Sequence, residues 1–174
     1  MSKLRAAECR AFIQAATRKA DEIGVGVSIA VVGPEGHLIA LERMDEAGFI
    51  TPEIAIAKAY TMAAMRTMSP RFPDGLVIQK WFMERNPQML MNSAVFTNGK
   101  IVASGGMAPI FRGNEFVGAY GVSGATSAQD EEIGQAARAE TGWAHQPAVD
   151  DTKPSVKAHI NELYAKAGIT DRKL

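Results

Sequence analysis

The hydrophobic period of the chain changes several times, and each change marks an element. Near the start, Cys9, Phe12, Ile13, Ala16, Ala20 and Ile23 recur at steps of three and four, the spacing of one apolar stripe on a helix. Ser2 stands where a capping oxygen belongs, and Gly24 where a glycine ends a helix without a Cβ clash. From Val25 the period becomes two. Val25, Val27, Ile29 and Val31 alternate with Gly26, Ser28 and Ala30, which predicts a buried strand. Gly33-Pro34-Glu35-Gly36 reads as a turn, and His37 to Met44 as the returning strand. Thr51-Pro52 then opens a helix reaching Met68, with Thr51 as the capping oxygen and Pro52 where no N–H is needed. The many alanines of this helix imply close packing.

The second half is less regular. Pro70, Pro73 and Pro87 interrupt the stretch from Ser69 to Asn92, which reads as a connecting segment with one local element, helix or strand, at Leu76 to Met83. Its Trp81, Phe82, Met83, Met89, Leu90 and Met91 are much apolar surface for a loop and predict contact with a neighbouring subunit. Strands are expected again from Ser93, with Thr97-Asn98-Gly99-Lys100 as a hairpin turn and Ile101 to Ser104 pairing back. Ala108 to Phe111 and Phe116 to Val122 form a further hairpin about Arg112-Gly113-Asn114-Glu115. Ser127-Ala128-Gln129-Asp130 has the form of a capping box opening a helix that Gly142 closes. A polar linker from Pro147 to Pro154 leads to a last helix from Ser155 to Lys166.

Hairpin connections predict an α/β (α+β) fold in which a mainly antiparallel sheet is covered by helices. Residues 1–143 read as one domain, and residues 144–174 as a linker and short helix expected against a neighbouring subunit. Composition changes this picture little: 47% hydrophobic and 22% charged residues describe an ordinary globule. The 19 basic and 19 acidic residues cancel, so neither nucleic acid nor an anionic membrane is an expected partner. Cys9 is the single cysteine, which excludes an internal disulfide and a multi-cysteine metal site. The first ten residues carry charges where a signal peptide needs an apolar run, so a cytoplasmic location is expected.

Chemistry has few candidates. There is no P-loop, no G-x-S-x-G and no H-E-x-x-H. Lys58 is the sharpest residue: at about 100° per residue it falls about 20° from Met65, beside the apolar face of Ile54, Thr61, Met65 and Met68. A lysine there either pairs with an acid or meets an anionic ligand. Asp45 is the expected partner, and Arg43 is placed to clamp a carboxylate through two parallel hydrogen bonds. Gly105-Gly106, between strands, offers either adjacent N–H groups for an anion or a simple bulge. His37, His145 and His159 do not outline a zinc site, and no metal is expected.

Taken together, Ser28-Ile29-Ala30-Val31-Val32, Arg43-Met44-Asp45, Ala57-Lys58-Ala59, Gly105-Gly106 with Pro109-Ile110, Gly121-Val122-Ser123-Gly124 and Gln129-Asp130-Glu131 resemble the GlcG/HbpS family over residues 5 to 140. The resemblance implies an oligomeric α/β domain. Some members bind haem, including the domain joined to certain cobalamin adenosyltransferases, and many others accompany catabolic genes. Haem is therefore the candidate cofactor, and two functions stand side by side. One is a small-ligand-binding protein in which Arg43, Lys58, Thr61, Gly105, Gly106 and Pro109 face the ligand. The other is an enzyme (isomerase, tautomerase or deaminase) acting on a small carboxylate, with Arg43 holding the substrate and Lys58 or Asp45 moving protons. This sequence departs from the family pattern at Gly33-Pro34-Glu35-Gly36 and by an extra residue in Met107-Ala108.

Overall fold

The computed structural model describes residues 3–68, 72–149 and 153–170. Helix α1 (Ala6–Ile23) is followed by strands β1 (Ser28–Val32) and β2 (Leu38–Arg43), and then by α2 (Thr51–Met68), α3 (Gly75–Arg85) and α4 (Pro87–Phe96). Strands β3 (Met107–Arg112) and β4 (Glu115–Ser123) precede α5 (Ser127–Thr141) and α6 (Pro154–Lys166). The four strands form one sheet in the order β2-β1-β4-β3, and every pairing is antiparallel. The α+β expectation holds.

Burial explains the strand patterns. All five residues of β1 are buried, because the strand is central and both faces of the sheet are covered. Ile29 and Val31 meet Phe12, Ala16, Ile133 and Val122 on the face covered by α1 and α5. Ala30 and Val32 point the other way, to Ala55, Ala59, Met62 and Ala63 of α2. The alanines of α2 let it lie close to β4, where Gly121 completes the fit. A Cβ on Gly121 would stand 2.1 Å from the carbonyl oxygen of Ala55 and 2.8 Å from the nitrogen of Ala59.

Several local expectations change. Ser2 lies outside the described residues, and Arg5 occupies the N-cap of α1. The capping box of α5 begins one residue early: the Thr126 hydroxyl accepts from the Gln129 amide, and Gln129 accepts from Thr126. Thr51 is the first residue of α2, and its hydroxyl donates to Gly48 O at 2.8 Å. Leu76 to Met83 is helical. The strand expected from Ser93 is instead the end of α4. Asn98 (φ 52°) and Gly99 (φ 81°) are left-handed, and the Gly99 amide donates to Ala94 O at 2.8 Å, so Asn-Gly closes a helix here rather than joining two strands. Ile101 to Ser104 consequently finds no strand partner.

The chain beyond α5 is used within its own subunit. The Phe111 amide donates to Ala144 O at 2.8 Å, and the Ala148 amide to Gly113 O at 2.9 Å, so this segment runs beside the β3–β4 hairpin and covers the β3 edge. Helix α6 buries Ile160, Leu163 and Tyr164 beside α3, where the Tyr164 hydroxyl donates to Asp74 Oδ2 at 2.9 Å. Helix α4 is the opposite case: it buries no residue, and Met91, Val95 and Phe96 are exposed. No helix of the described residues is long and apolar enough to cross a membrane.

Candidate functional site

Lys58 lies on α2 over β4 and is 2% exposed. Its ammonium donates to Val122 O at 2.7 Å and to Asp130 Oδ2 at 2.8 Å. Asp130 stands in the first turn of α5, also 2% exposed, and its Oδ1 accepts from the Ala125 amide at 3.0 Å. The pair therefore joins helices from opposite faces of the sheet at its β3–β4 end. This corrects the expected pairing with Asp45. Asp45 follows β2, the far edge strand, whereas Lys58 lies over β4 two strands away, and Asp45 is exposed.

Burial raises the Asp130 carboxyl above its usual range, while Lys58 and the amides of Ala125 and Gly124 pull it back. The folded chain thus keeps this proton to higher pH than the unfolded chain does. The contribution to stability is full below the ordinary carboxylate value of about 4 and is lost as pH rises through the raised value. In urea unfolding, the stability of the wild type relative to a Lys58→Met, Asp130→Leu double variant should fall across that window. A difference that ignores pH would contradict it.

The glycine pair has a specific use. Gly106 is left-handed (φ 86°), and a Cβ there would lie 2.6 Å from Asp130 Cβ and 2.7 Å from Val122 O. Its amide does meet an anion, but the anion is the chain's own: Glu131 Oε2 accepts it at 2.8 Å. Gly105 is crowded in the same way by Ser127 O, 2.4 Å from its would-be Cβ. Thr61 is also committed. Its hydroxyl donates to Ala57 O at 2.8 Å and accepts from the Val102 amide at 2.9 Å, which ties residues 100–102 to α2. Pro109 is buried in β3 opposite Ala119, an edge strand where a missing N–H is tolerated. Lys58, Thr61, Gly105, Gly106 and Pro109 thus cluster around one end of the sheet as buried packing and hydrogen-bonding groups.

Arg43 and Asp45 lie elsewhere, both exposed, on a groove of about 690 Å³ whose wall includes Asp21, Glu42, Met44 and Glu46. Arg43 is the cation among these groups. The sequence reading missed Asp130 and Glu131 as buried acids. For Asp130 the signal was periodicity, since Asp130, Ile133, Gly134 and Ala137 follow the i, i+3, i+4, i+7 spacing of the buried face of α5. Cys9 is buried, and burial pushes its thiol up to about 11, which makes it a packing residue rather than a nucleophile.

Comparison with known proteins adds four observations. The family described as "Haem degrading protein HbpS-like" matches residues 4–139. A 15.0 kDa protein of Citrobacter freundii, encoded in the dhaT-dhaS intergenic region and uncharacterised, is 31% identical over 132 residues, which is 75% of this chain and 87% of that protein. The corrinoid adenosyltransferase PduO of Salmonella typhimurium is 30% identical over 71% of this chain, but the match spans only 34% of the enzyme. Among solved structures, the PduOC:heme complex superposes with a TM-score of 0.72 at 25% identity, covering 83% of this chain and 99% of that one. The matched stretch runs from α1 through α5 and includes the Lys58–Asp130 pair and the glycines around it, and on that extent the chain belongs to the HbpS-like family.

Proposed function

We propose that this protein binds haem as a small-ligand-binding member of its family. The observation that carries the reading is the likeness to the haem-complexed PduOC domain, which extends over 99% of that chain. The Arg43 groove supports it. Its volume of about 690 Å³ falls within the roughly 300–1,000 Å³ usual for ligand sites. Arg43 supplies a guanidinium for a propionate, and the thioether of Met44 is the soft donor in the wall. Iron is held through such a sulfur in some haem proteins. The other charged lining groups, Asp21, Glu42, Asp45 and Glu46, are acidic, so Arg43 is the one lining group that can anchor a propionate. Lys58 faces Asp130 and serves the fold.

Hemin titration of an Arg43→Ala variant tests the assignment. Affinity should fall at least about tenfold, equivalent to about 1.4 kcal/mol, with the melting temperature unchanged. Equal affinity would remove Arg43 from the site. Assembly belongs to the same reading. We place contacts between copies of the chain on the exposed apolar face of α4 at Met91, Val95 and Phe96, and a stable monomer at micromolar concentration in light scattering would refute that.

A further inference from the structure

We propose that β2 pairs antiparallel with β2 of a second copy of this chain, about a two-fold axis at Leu41. The sheet has two edges, β2 and β3, and only one of them is closed. At the β3 edge Pro109 has no N–H to offer, the Phe111 amide donates to Ala144 O, and Gly113 O accepts from the Ala148 amide. The β2 edge has no such cover. Leu38, Leu41, Glu42 and Arg43 are exposed, and among the described residues no group bonds to the outward main chain of Leu41 or Arg43.

Which groups face outward follows from one bond. The Met44 amide donates to Val27 O at 3.0 Å, and the ladder continues with Glu42 opposite Ile29 and Ala40 opposite Val31. Every second residue of an antiparallel strand exchanges hydrogen bonds with a given neighbour. Glu42 and Ala40 are therefore turned to β1, whereas Arg43 and Leu41 present N–H and C=O to the open side. Natural edges are usually blunted by lysine, proline or a bulge. Here the one bulge, at Ile39, lies toward the hairpin end, and the outward residue in the middle of the edge is a leucine. Such a row of donors and acceptors is complementary to its own antiparallel copy.

The register selects the axis. Outward residues must oppose outward residues, which leaves axes at Ala40, Leu41 or Glu42. An axis at Glu42 sets two carboxylates directly opposite each other, which is destabilising. One at Ala40 puts both bulges beside the axis. An axis at Leu41 moves the bulges to the ends, opposes Leu41 to its copy and Glu42 to Ala40, and brings no like charges together. Leu41 lies opposite Ala30, whose side chain points to α2, so its own exposed side chain is on that face of the sheet. The exposed Phe49 and Ile50 lead into the same helix. Because one patch serves both copies, the contact closes as a dimer. Two four-stranded sheets then join into one, and the closed β3 edges stop it from growing. The inference is independent of the haem reading and of the α4 contact.

Oxidation of Leu41→Cys and Glu42→Cys variants of the full chain with copper–phenanthroline tests the axis. Cys9 is buried, so the wild type serves as the blank. Across the axis the two Cα atoms of residue 41 stand about 5.5 Å apart, as in any hydrogen-bonded antiparallel pair, within the reach of a disulfide. Those of residue 42 are offset by two residues along the strands and stand roughly 8 Å apart, beyond that reach. Leu41→Cys should give at least about tenfold more disulfide dimer than Glu42→Cys on non-reducing gels. Leu41→Lys leaves the ladder to β1 intact and sets two ammonium groups at the axis. It should keep the wild-type circular dichroism spectrum and show a lower mass in light scattering. Equal cross-linking at the two positions, no disulfide dimer at either, or a Leu41→Lys protein of wild-type mass would overturn the proposal.

Discussion

Lys58→Met should lower the stability of the fold by about 3–5 kcal/mol, the range seen when one partner of a buried ion pair is removed. Methionine fills the space of the lysine stem, so the loss is electrostatic rather than a cavity. It strands the Asp130 carboxylate, 2% exposed, and leaves Val122 O without the ammonium 2.7 Å away. For a chain of this length each kcal/mol corresponds to about 2–4 °C in melting temperature, so the shift should be on the order of ten degrees. Lys80→Met is the control: Lys80 pairs with Glu84 at 3.3 Å, and both side chains are partly exposed, so its effect should stay below about 1 kcal/mol. Pairing Lys58→Met with Asp130→Leu should recover much of the loss, because replacing both members of a buried pair with apolar groups is often neutral. A Lys58→Met protein that melts like the wild type would show that the pair does not hold α2 and α5 together.

Gly121→Ala carries the second large effect. Gly121 pairs with Ala30 on one side and Met107 on the other, so β4 cannot shift there without disturbing two ladders. The added methyl would meet Ala55 O at 2.1 Å, Ala59 N at 2.8 Å and Lys58 Cβ at 2.9 Å. Two of these are helix backbone, which cannot rotate out of the way as a side chain would. Overpacking of this kind costs about 1–3 kcal/mol, and more where backbone must move. Relief requires α2 to lift from the sheet, which would also draw Lys58 away from Asp130. Denaturant unfolding should place Gly121→Ala at or above the top of that range. An alanine variant within about 0.5 kcal/mol of the wild type would mean that α2 does not lie where the structure has it.

Much of the fold was legible because it rests on local periods. Alternation in Val27 to Val31 marked β1, and the three- and four-residue steps from Cys9 to Ile23 marked α1. Asn98-Gly99 misled because the dipeptide states only that the backbone turns left-handed. A hairpin and a helix end both use that conformation, and the choice depends on whether the preceding residues lie in a ladder. The position of Lys58 was equally legible, since a lysine beside an apolar stripe needs a partner. The partner itself was not, because Asp130 lies 72 residues further along the chain and reaches Lys58 only through the strand order β1-β4. Proximity in sequence favoured Asp45, and sheet topology placed it at the opposite edge. The glycine pair reads in sequence either as free amides for an anion or as a simple bulge. The structure shows that its missing side chains matter as much, since the Asp130 Cβ and Val122 O occupy the place a Gly106 side chain would need.

Titration of the wild-type chain with hemin tests the proposed function most directly. A haem-binding protein of this family should give a saturable Soret shift with a defined stoichiometry, well above the response of an unrelated globular protein of similar size. A shift that rises without saturation and matches the unrelated protein at every concentration would contradict haem binding by this chain.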